Sequence, residues 1–501
     1  MQVLGILQDL DLGNSVAEFD TALEKYFVET HIFRQLIRDE ADIVAGDKGT
    51  GKTALFRILN DRYTAINELS DIEVVPAFNP TGNPVFQRLA EGNPLQEGQY
   101  TNVWKAYVLA LVGNWVLEFT GEEQTELRRQ LHNMLHRLDL QSDDDSPATI
   151  FSRVVNLFRR LLNPKSIEAA VTIAPHGMPI LVPKIEFGEP DESGPPQTVP
   201  FEEAFTLLDR VLSELGIGIW LVFDRLDEAF QGFPAAEIPA LRALFRTYLD
   251  LIPYDRIRLK LFVRKDLFRR IIGTSFVNLT HVNARKVEIT WEEDDLWDLL
   301  RRRLAESPQL LSRLAIANSE DASSIWEALV PDQVDPGSRK PKTWTWIMRR
   351  IRDGNDVRPP RNLIDLLKKA QAVHIRKEER EHNEYPPGPL LTSDSLKRGL
   401  SMLSDERVQD TLIAEAGDEV ARYIEQFKGG KAEHNLSTLS QVLGLEGDDL
   451  ARAIQALADL GFIEKLGMSY TVPALYRDGL NITQGKAFAT GDAASEDEED
   501  N

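Results

Sequence analysis

The chain has 501 residues, room for about three domains at ~100–200 residues each, and 57 Lys+Arg against 80 Asp+Glu give it a formal charge of −23. Six acids lie in the last eleven residues, and −23 less those six leaves −17, so a uniformly basic nucleic-acid coat is excluded, though a local basic patch is not. A hydrophobic content of 42% excludes global disorder, and the lack of cysteine excludes disulfides, a thiol nucleophile, Cys-ligated zinc and iron–sulfur clusters.

The first twenty residues have an early apolar run but no basic segment before it, so they do not read as a secretory signal. The longest apolar runs, 106–117 and 216–223, fall short of the ~20 residues that span a bilayer. A cytoplasmic protein without a membrane segment is expected. Residues 17–38 carry apolar positions at helical spacing, and 42–45 (DIVA) suit a short buried strand. A glycine-rich turn and a helix from Thr53 follow, then a second strand at 72–78. Helical patterns occupy 100–119, 122–138 and 147–162. Residues 170–187 read as a hairpin around His176-Gly177, and the proline- and acid-rich 188–199 as an exposed loop.

An alternating plan resumes with a helix at 201–215, a strand at 217–223, a helix at 235–251, and strands at 257–263 and 286–289. Strands alternating with helices predict a parallel sheet covered on both faces. Residues 291–375 read as helical and 376–389 as a linker. Residues 396–478 read as helices ending in a short hairpin. The expected fold class is α/β: a parallel sheet with a helical insertion, a helical lid and a C-terminal domain of helices and a hairpin. The expected boundaries are 1–290 for the core, with the insertion at about 90–200, 291–375 for the lid, 390–485 for the winged-helix-like domain and 486–501 for a disordered acidic tail.

Gly46, Asp47, Lys48, Gly49, Thr50, Gly51, Lys52 and Thr53 match G-x-x-x-x-G-K-[ST] at every fixed position. Glycines at this spacing let backbone N–H groups wrap a polyphosphate, and the following helix adds the positive end of its dipole. Lys52 is placed for the β- and γ-phosphates and Thr53 for Mg²⁺. Downstream, an apolar strand runs into Asp224-Arg225-Leu226-Asp227-Glu228. Asp224 is the second candidate for Mg²⁺, directly or through water. Glu228 is the best candidate to orient or deprotonate the attacking water, and Asp227 competes for either role. The simpler reading of these acids is as caps of the next helix. The expected cofactors are ATP and Mg²⁺. Lack of an NKxD segment favours ATP over GTP.

This order of motifs resembles the STAND division of AAA+-related ATPases, whose NACHT members carry a similar D-G-L-D-E run; here Arg225 replaces the small residue. The segments FVETHIF (27–33), GDKGTGKTALF (46–56) and VFDRLDE (222–228) are also similar to a group of bacterial P-loop ATPases with an FDRLDE-type Walker B. The likeness covers roughly residues 26–370 plus the C-terminal module. It implies a sensor at the strand beside Walker B, where Arg264 stands. The segment GNDVRPPRNLI (354–364) is similar to the sensor 2 region of Orc-like ATPases, with Arg361 the better fit and Arg358 the runner-up. An arginine finger supplied in trans would need an oligomer, with Arg269, Arg270 and Arg285 available.

Residues 436–472 follow the order helix, turn, helix, hairpin and resemble a winged helix. Its second helix sets Arg452 and Gln455 against Asp448, Asp449 and Asp459, which makes it a poor groove reader and favours packing or partner docking. Basic clusters at Arg301, Arg302, Arg303 and at Arg349, Arg350, Arg352 could bind phosphate or nucleic acid, or could offset acidic neighbours. His132 and His136 have a legal metal spacing, but the pattern lacks a glutamate and a third ligand, and they read as a solvated helix face. The expected function is an ATP-binding and ATP-hydrolysing switch that assembles or controls a partner effector, as a homo-oligomer or with a separate protein. The resemblance extends this to bacterial antiviral defence. The alternative is a DNA-engaging AAA+-like ATPase: an initiator, transposition helper or loader.

Overall fold

The computed structural model describes residues 2–77, 96–121, 125–141, 146–161, 200–226, 228, 234–273, 276, 278–314, 316, 322–384 and 388–488. The expected hairpin at 170–187, the loop at 188–199, Asp227 and the acids at 491–501 lie outside these residues. The chain forms two compact units: a sheet unit, His31–Gly46 with Lys52–Ile289, and a helical unit, Met1–Thr30 and Thr290–Asn501 together with Asp47–Gly51.

The sheet unit is built on five parallel strands: β1 Ile43–Gly46, β2 Ile72–Pro76, β3 Gly218–Phe223, β4 Ile257–Arg264 and β5 Lys286–Glu288. Their order is β2-β3-β4-β1-β5. β1 and β3 are buried at every position, which is why both read as unbroken apolar runs rather than as alternating ones. Register sets the functional ends level. Gly46 of β1 pairs with Arg264 of β4, and Phe223 of β3 pairs with Leu261.

The inserted helices are part of this core. Helix Glu97–Thr120 is apolar on most of its circumference and is buried along most of its length, as such a helix must be. Its Trp104 donates from the indole to the Ala240 carbonyl at 2.8 Å, and packs edge-on against Phe223 with centroids 5.9 Å apart. Tyr107 and Phe151 complete an aromatic set around Phe223, the residue before Asp224. A second, polar core lies at the other end of the strands. Lys260, fully buried, donates to Asp42 and the Ala41 carbonyl, both at 2.8 Å, and to Asp39, and sits 4.0 Å over the Trp220 ring. Arg285 closes the network on Asp42 and Asp39. Burial opposes ionisation of Asp42, but Lys260 and Arg285 outweigh it and hold the carboxyl below its ordinary range.

The helical unit departs from the expected division. Residues 1–30, assigned from sequence to the ATPase core, pack here instead: Val3, Ile6, Leu7 and Leu10 join Leu296, Leu363 and Leu367 in one apolar cluster. The expected helix over 17–38 is also broken, into 3-10 turns at Ala17–Phe19 and Leu23–Tyr26 and a helix at His31–Ile37. The break has a cause. Asp20 turns inward to meet buried Arg303 at 3.0 Å, and the guanidinium lies 4.1 Å over the Tyr26 ring. A continuous helix could not deliver both groups to one arginine.

Helix Pro360–Glu381 runs through the first part of the expected linker at 376–389. Its Glu378 is buried, accepting from Asn383 and facing His374, so the charged stretch is anchored rather than loose. Further on, helix Leu436–Leu443, helix Gly447–Asp459 and the strands β7 Glu464–Leu466 and β8 Ser469–Thr471 follow in the expected order. Two strands unread in the sequence, β6 Lys431–His434 and β9 Thr483–Lys486, complete a sheet ordered β7-β8-β6-β9. β9 takes in Lys486, the first residue assigned to the acidic tail. No helix among the described residues is long and apolar enough to cross a membrane.

Candidate functional site

The phosphate-loop motif joins β1 to helix Lys52–Arg62. Gly49, at a variable position of the motif, and Gly51, at a fixed one, adopt φ of +79° and +100°, conformations that side chains resist, so the turn requires glycine at both. In the sheet unit, Lys52 folds back and its Nζ donates to the Gly46 carbonyl at 2.8 Å, which holds the ammonium over the start of the loop. Thr53 hydrogen-bonds the carboxylate of Asp224. Asp224 is 2% exposed, and its Oδ2 has no partner among the described residues. Burial pushes this carboxyl up; the Thr53 hydroxyl, the Arg225 backbone N–H and the charge of Lys52 oppose the rise. A half-buried hydroxyl on a buried carboxylate with one oxygen unsatisfied among the described residues is the donor set expected of a hard divalent cation that also carries waters.

Just beyond Asp224, Arg225 has φ +56°, and the Glu228 N–H donates to the Arg225 carbonyl at 3.0 Å. This tight turn places the Arg225 guanidinium 3.5 Å from Glu228. Asp224 and Glu228 thus flank a tight turn. Asp227 lies outside the described residues. Arg264, the sensor candidate, ends β4 beside Gly46 and makes two hydrogen bonds to Asp266 at 2.9 and 3.1 Å. Of the arginines considered for action in trans, Arg285 belongs to the Asp42 network and Arg270 pairs with Glu237 at 2.6 Å. Arg269 is exposed in the last turn of helix Lys265–Ile272.

In the helical unit, the tip of the phosphate loop meets Arg361, Pro359, Trp291 and Asp410. A Cβ added at Gly49 would stand 3.1 Å from Cβ of Arg361 and 3.5 Å from Cβ of Pro359. The indole of Trp291 donates to the Thr50 carbonyl at 2.8 Å, and Lys48 donates to the Asp410 carbonyl at 3.1 Å. Asp410 lies in a π-helical turn, Val408–Ile413, between two longer helices. Sequence reasoning missed Trp291 and Asp410, because neither carries a motif. The structure also separates the two sensor 2 candidates. Both have a buried Nε unsatisfied among the described residues, but Arg358 pairs with Asp356 at 3.0 Å, whereas Arg361 has no hydrogen bond or ion pair among the described residues. Burial, then the positive charge of Arg407, pull the Arg361 pKa down. A partly desolvated arginine against a phosphate loop is a ready anion partner.

Five of the six clustered arginines have an acidic or aromatic partner in place. Arg301 and Arg302 both pair with Asp298, Arg303 is buried on Asp20, and Arg352 bridges Asp356 and Glu464. Arg350 lies 4.3 Å over the Trp346 ring. On helix Gly447–Asp459, Arg452 pairs with Asp449, and Gln455 donates to Asp459 at 2.8 Å. The side chains that would face a DNA groove are tied to acids of their own helix.

No known family profile matches the chain, and no curated protein matches it. Among solved structures it is similar to the ORC1 protein of Aeropyrum pernix in complex with DNA, at 13% identity and TM-score 0.33, covering 93% of this chain and 96% of that one. It is similar to the ORC2 protein of the same organism in ADPNP–ADP complexes, at 14% identity and TM-score 0.38, with coverage of 91% and 93%. It is also similar to a Walker-type ATPase of Pyrococcus abyssi, at 10% identity and TM-score 0.36, with coverage of 91% and 96%.

Proposed function

We propose that the chain binds Mg²⁺·ATP and hydrolyses it. The observation that carries this reading is the Thr53–Asp224 contact, in which a phosphate-loop hydroxyl meets a buried carboxylate with one oxygen unsatisfied among the described residues. Asp47 to Lys52 would cradle the phosphates, with Lys52 as the point charge for the β- and γ-phosphates. Thr53 and Asp224 would hold Mg²⁺, which when bound draws charge off the phosphate oxygens. Glu228 would orient or deprotonate water, with Arg264 and Arg361 as sensors of the γ-phosphate. Arg361 lies against the loop and starts a long helix, so nucleotide state would bias the helical unit and make the chain a switch that controls a partner or its own assembly. The test is ATP binding and turnover by Lys52→Ala and Glu228→Gln. Loss of binding in the first and of turnover in the second is expected; wild-type values in both would overturn the reading.

A second reading, a DNA-engaging AAA+-type ATPase such as an initiator or loader, is favoured by one observation. At the hairpin tip of the winged-helix-like segment, Lys465 is exposed beside Leu466 and Met468, themselves 52% and 48% exposed. Apolar residues flanked by a cation suit insertion beside a phosphate backbone. Duplex binding at low salt that is lost in a Lys465→Glu, Leu466→Ser variant would support it, and no binding with or without ATP would remove it.

A further inference from the structure

The residue after the metal-binding aspartate is the least expected in the site. An arginine occupies a left-handed position, φ +56°, where a glycine would be free of strain. Backbone strain of this kind persists where the surroundings hold it, and it gathers at functional sites. Here the conformation has two consequences. The Arg225 N–H turns onto the Asp224 carboxylate, and its side chain is carried back along the turn to within 3.5 Å of Glu228 Oε2. The Arg225 side chain is 20% exposed and that of Glu228 37%, so the pair stands at the edge of solvent.

We propose that Arg225 is a positioning residue that restrains Glu228 and slows hydrolysis. The inference rests on the reading of Glu228 as the water-orienting carboxylate. A carboxylate paired with a guanidinium is a poorer hydrogen-bond acceptor for water, because its lone pairs and charge are already engaged. The left-handed turn keeps the restraint in register. Glu228 N–H is bonded to the Arg225 carbonyl, so backbone and side chain of the two residues are linked together. For Glu228 to act, the ion pair must open, and Arg225 then sets the fraction of time in which it is closed.

The experiment measures kcat and ATP affinity for the full chain and for Arg225→Gly, Arg225→Lys, Glu228→Gln and the double variant Arg225→Gly/Glu228→Gln. Glycine suits the backbone at this position, so the first variant keeps the turn. An ion pair at the edge of solvent is weak, so removing it should raise kcat by about twofold to fivefold, with ATP affinity unchanged. Arg225→Lys should restore the slower rate, and in the Glu228→Gln background Arg225→Gly should change nothing. A fall or no change in kcat for Arg225→Gly overturns the inference, as does a gain that survives in the double variant. Glu228→Gln alone tests the underlying reading: if it hydrolyses ATP like the wild type, Glu228 is not the acting carboxylate, whatever Arg225 does.

Discussion

Gly49 lies against Arg361, so close that a methyl group on the glycine would stand 3.1 Å from the arginine's Cβ. The phosphate-loop tip and the start of helix Pro360–Glu381 are thus fitted to one another without room for a side chain. Gly49→Ala would meet both this contact and a φ of +79°. The conformational term alone costs about 1–2 kcal/mol. ATP affinity is therefore expected to fall by roughly tenfold or more, as read by nucleotide titration.

Arg361→Ala removes from the same contact a partly buried cation that has no ion pair among the described residues. Nucleotide binding should survive, while kcat falls by about a hundredfold. Arg358→Ala should leave kcat within about twofold, because that arginine is already engaged by Asp356. Equal losses in both variants, in steady-state ATPase assays, would contradict this division of roles.

If Thr53 and Asp224 hold Mg²⁺ as proposed, Thr53→Ala and Asp224→Asn each take one oxygen donor from the cation. Both should retain ATP binding without metal, and both should need more Mg²⁺ for half-maximal turnover, by about tenfold or more. A Mg²⁺ titration of turnover checks this. Lys52→Ala should instead lose ATP affinity whether or not Mg²⁺ is present.

Asp353 gives the helical unit a pH signature. Burial first, with the charges of Asp47 and Asp356 adding to it, pushes its carboxyl up to about 6, against the N–H groups of Asn355 and Val357 that it accepts. The folded state then binds this proton more tightly than the unfolded state. The associated stability is present below the ordinary carboxylate range and is lost as pH rises toward 6. Asp353→Asn keeps an acceptor for both N–H groups and removes the charge. It should stabilise the unit by about 1 kcal/mol at pH 8 and change little at pH 4. Urea unfolding at the two pH values measures the difference.

The buried network at the other end of the strands predicts the opposite slope. Asp42 has its carboxyl held low by Lys260 and Arg285, so its contribution is present above the ordinary carboxylate range and lost as pH falls through its lowered value. Lys260→Met breaks a buried pair and should cost about 3 kcal/mol. It should also move acid unfolding to higher pH, as followed by circular dichroism.

Much of the site was legible because its residues obey spacing rules. The phosphate loop, the buried strand ending at Asp224, and the arginine at the head of a helix each carry a local pattern, and the strand ends lie where parallel-sheet logic puts them. What the pattern could not carry was long-range. The apolar spacing of 17–38 is real, yet Asp20 is claimed by Arg303, nearly 300 residues away, and the helix breaks. Residues 376–381 look like a charged linker, but Glu378 is anchored by Asn383 and remains in the helix. β6 and β9 are short and mostly polar, and they became strands only through pairing with each other and with β8. Arg225 did leave a trace, since it stands where related motifs carry a small residue, and the positive φ gives that departure its meaning.

Helix Pro360–Glu381 has a mechanical consequence. Its 22 residues at about 1.5 Å each make a rod of roughly 33 Å. Arg361 stands at one end, on the phosphate loop. Just past the other end, Asn383 and Glu384 hold the first residues of the chain, through a bond from the Val3 N–H and a bridge to Gln2. A tilt of about 5° at the arginine would swing the far end by roughly 3 Å, given that rod length. Gln2 and Val3 sit where such a pointer would be read.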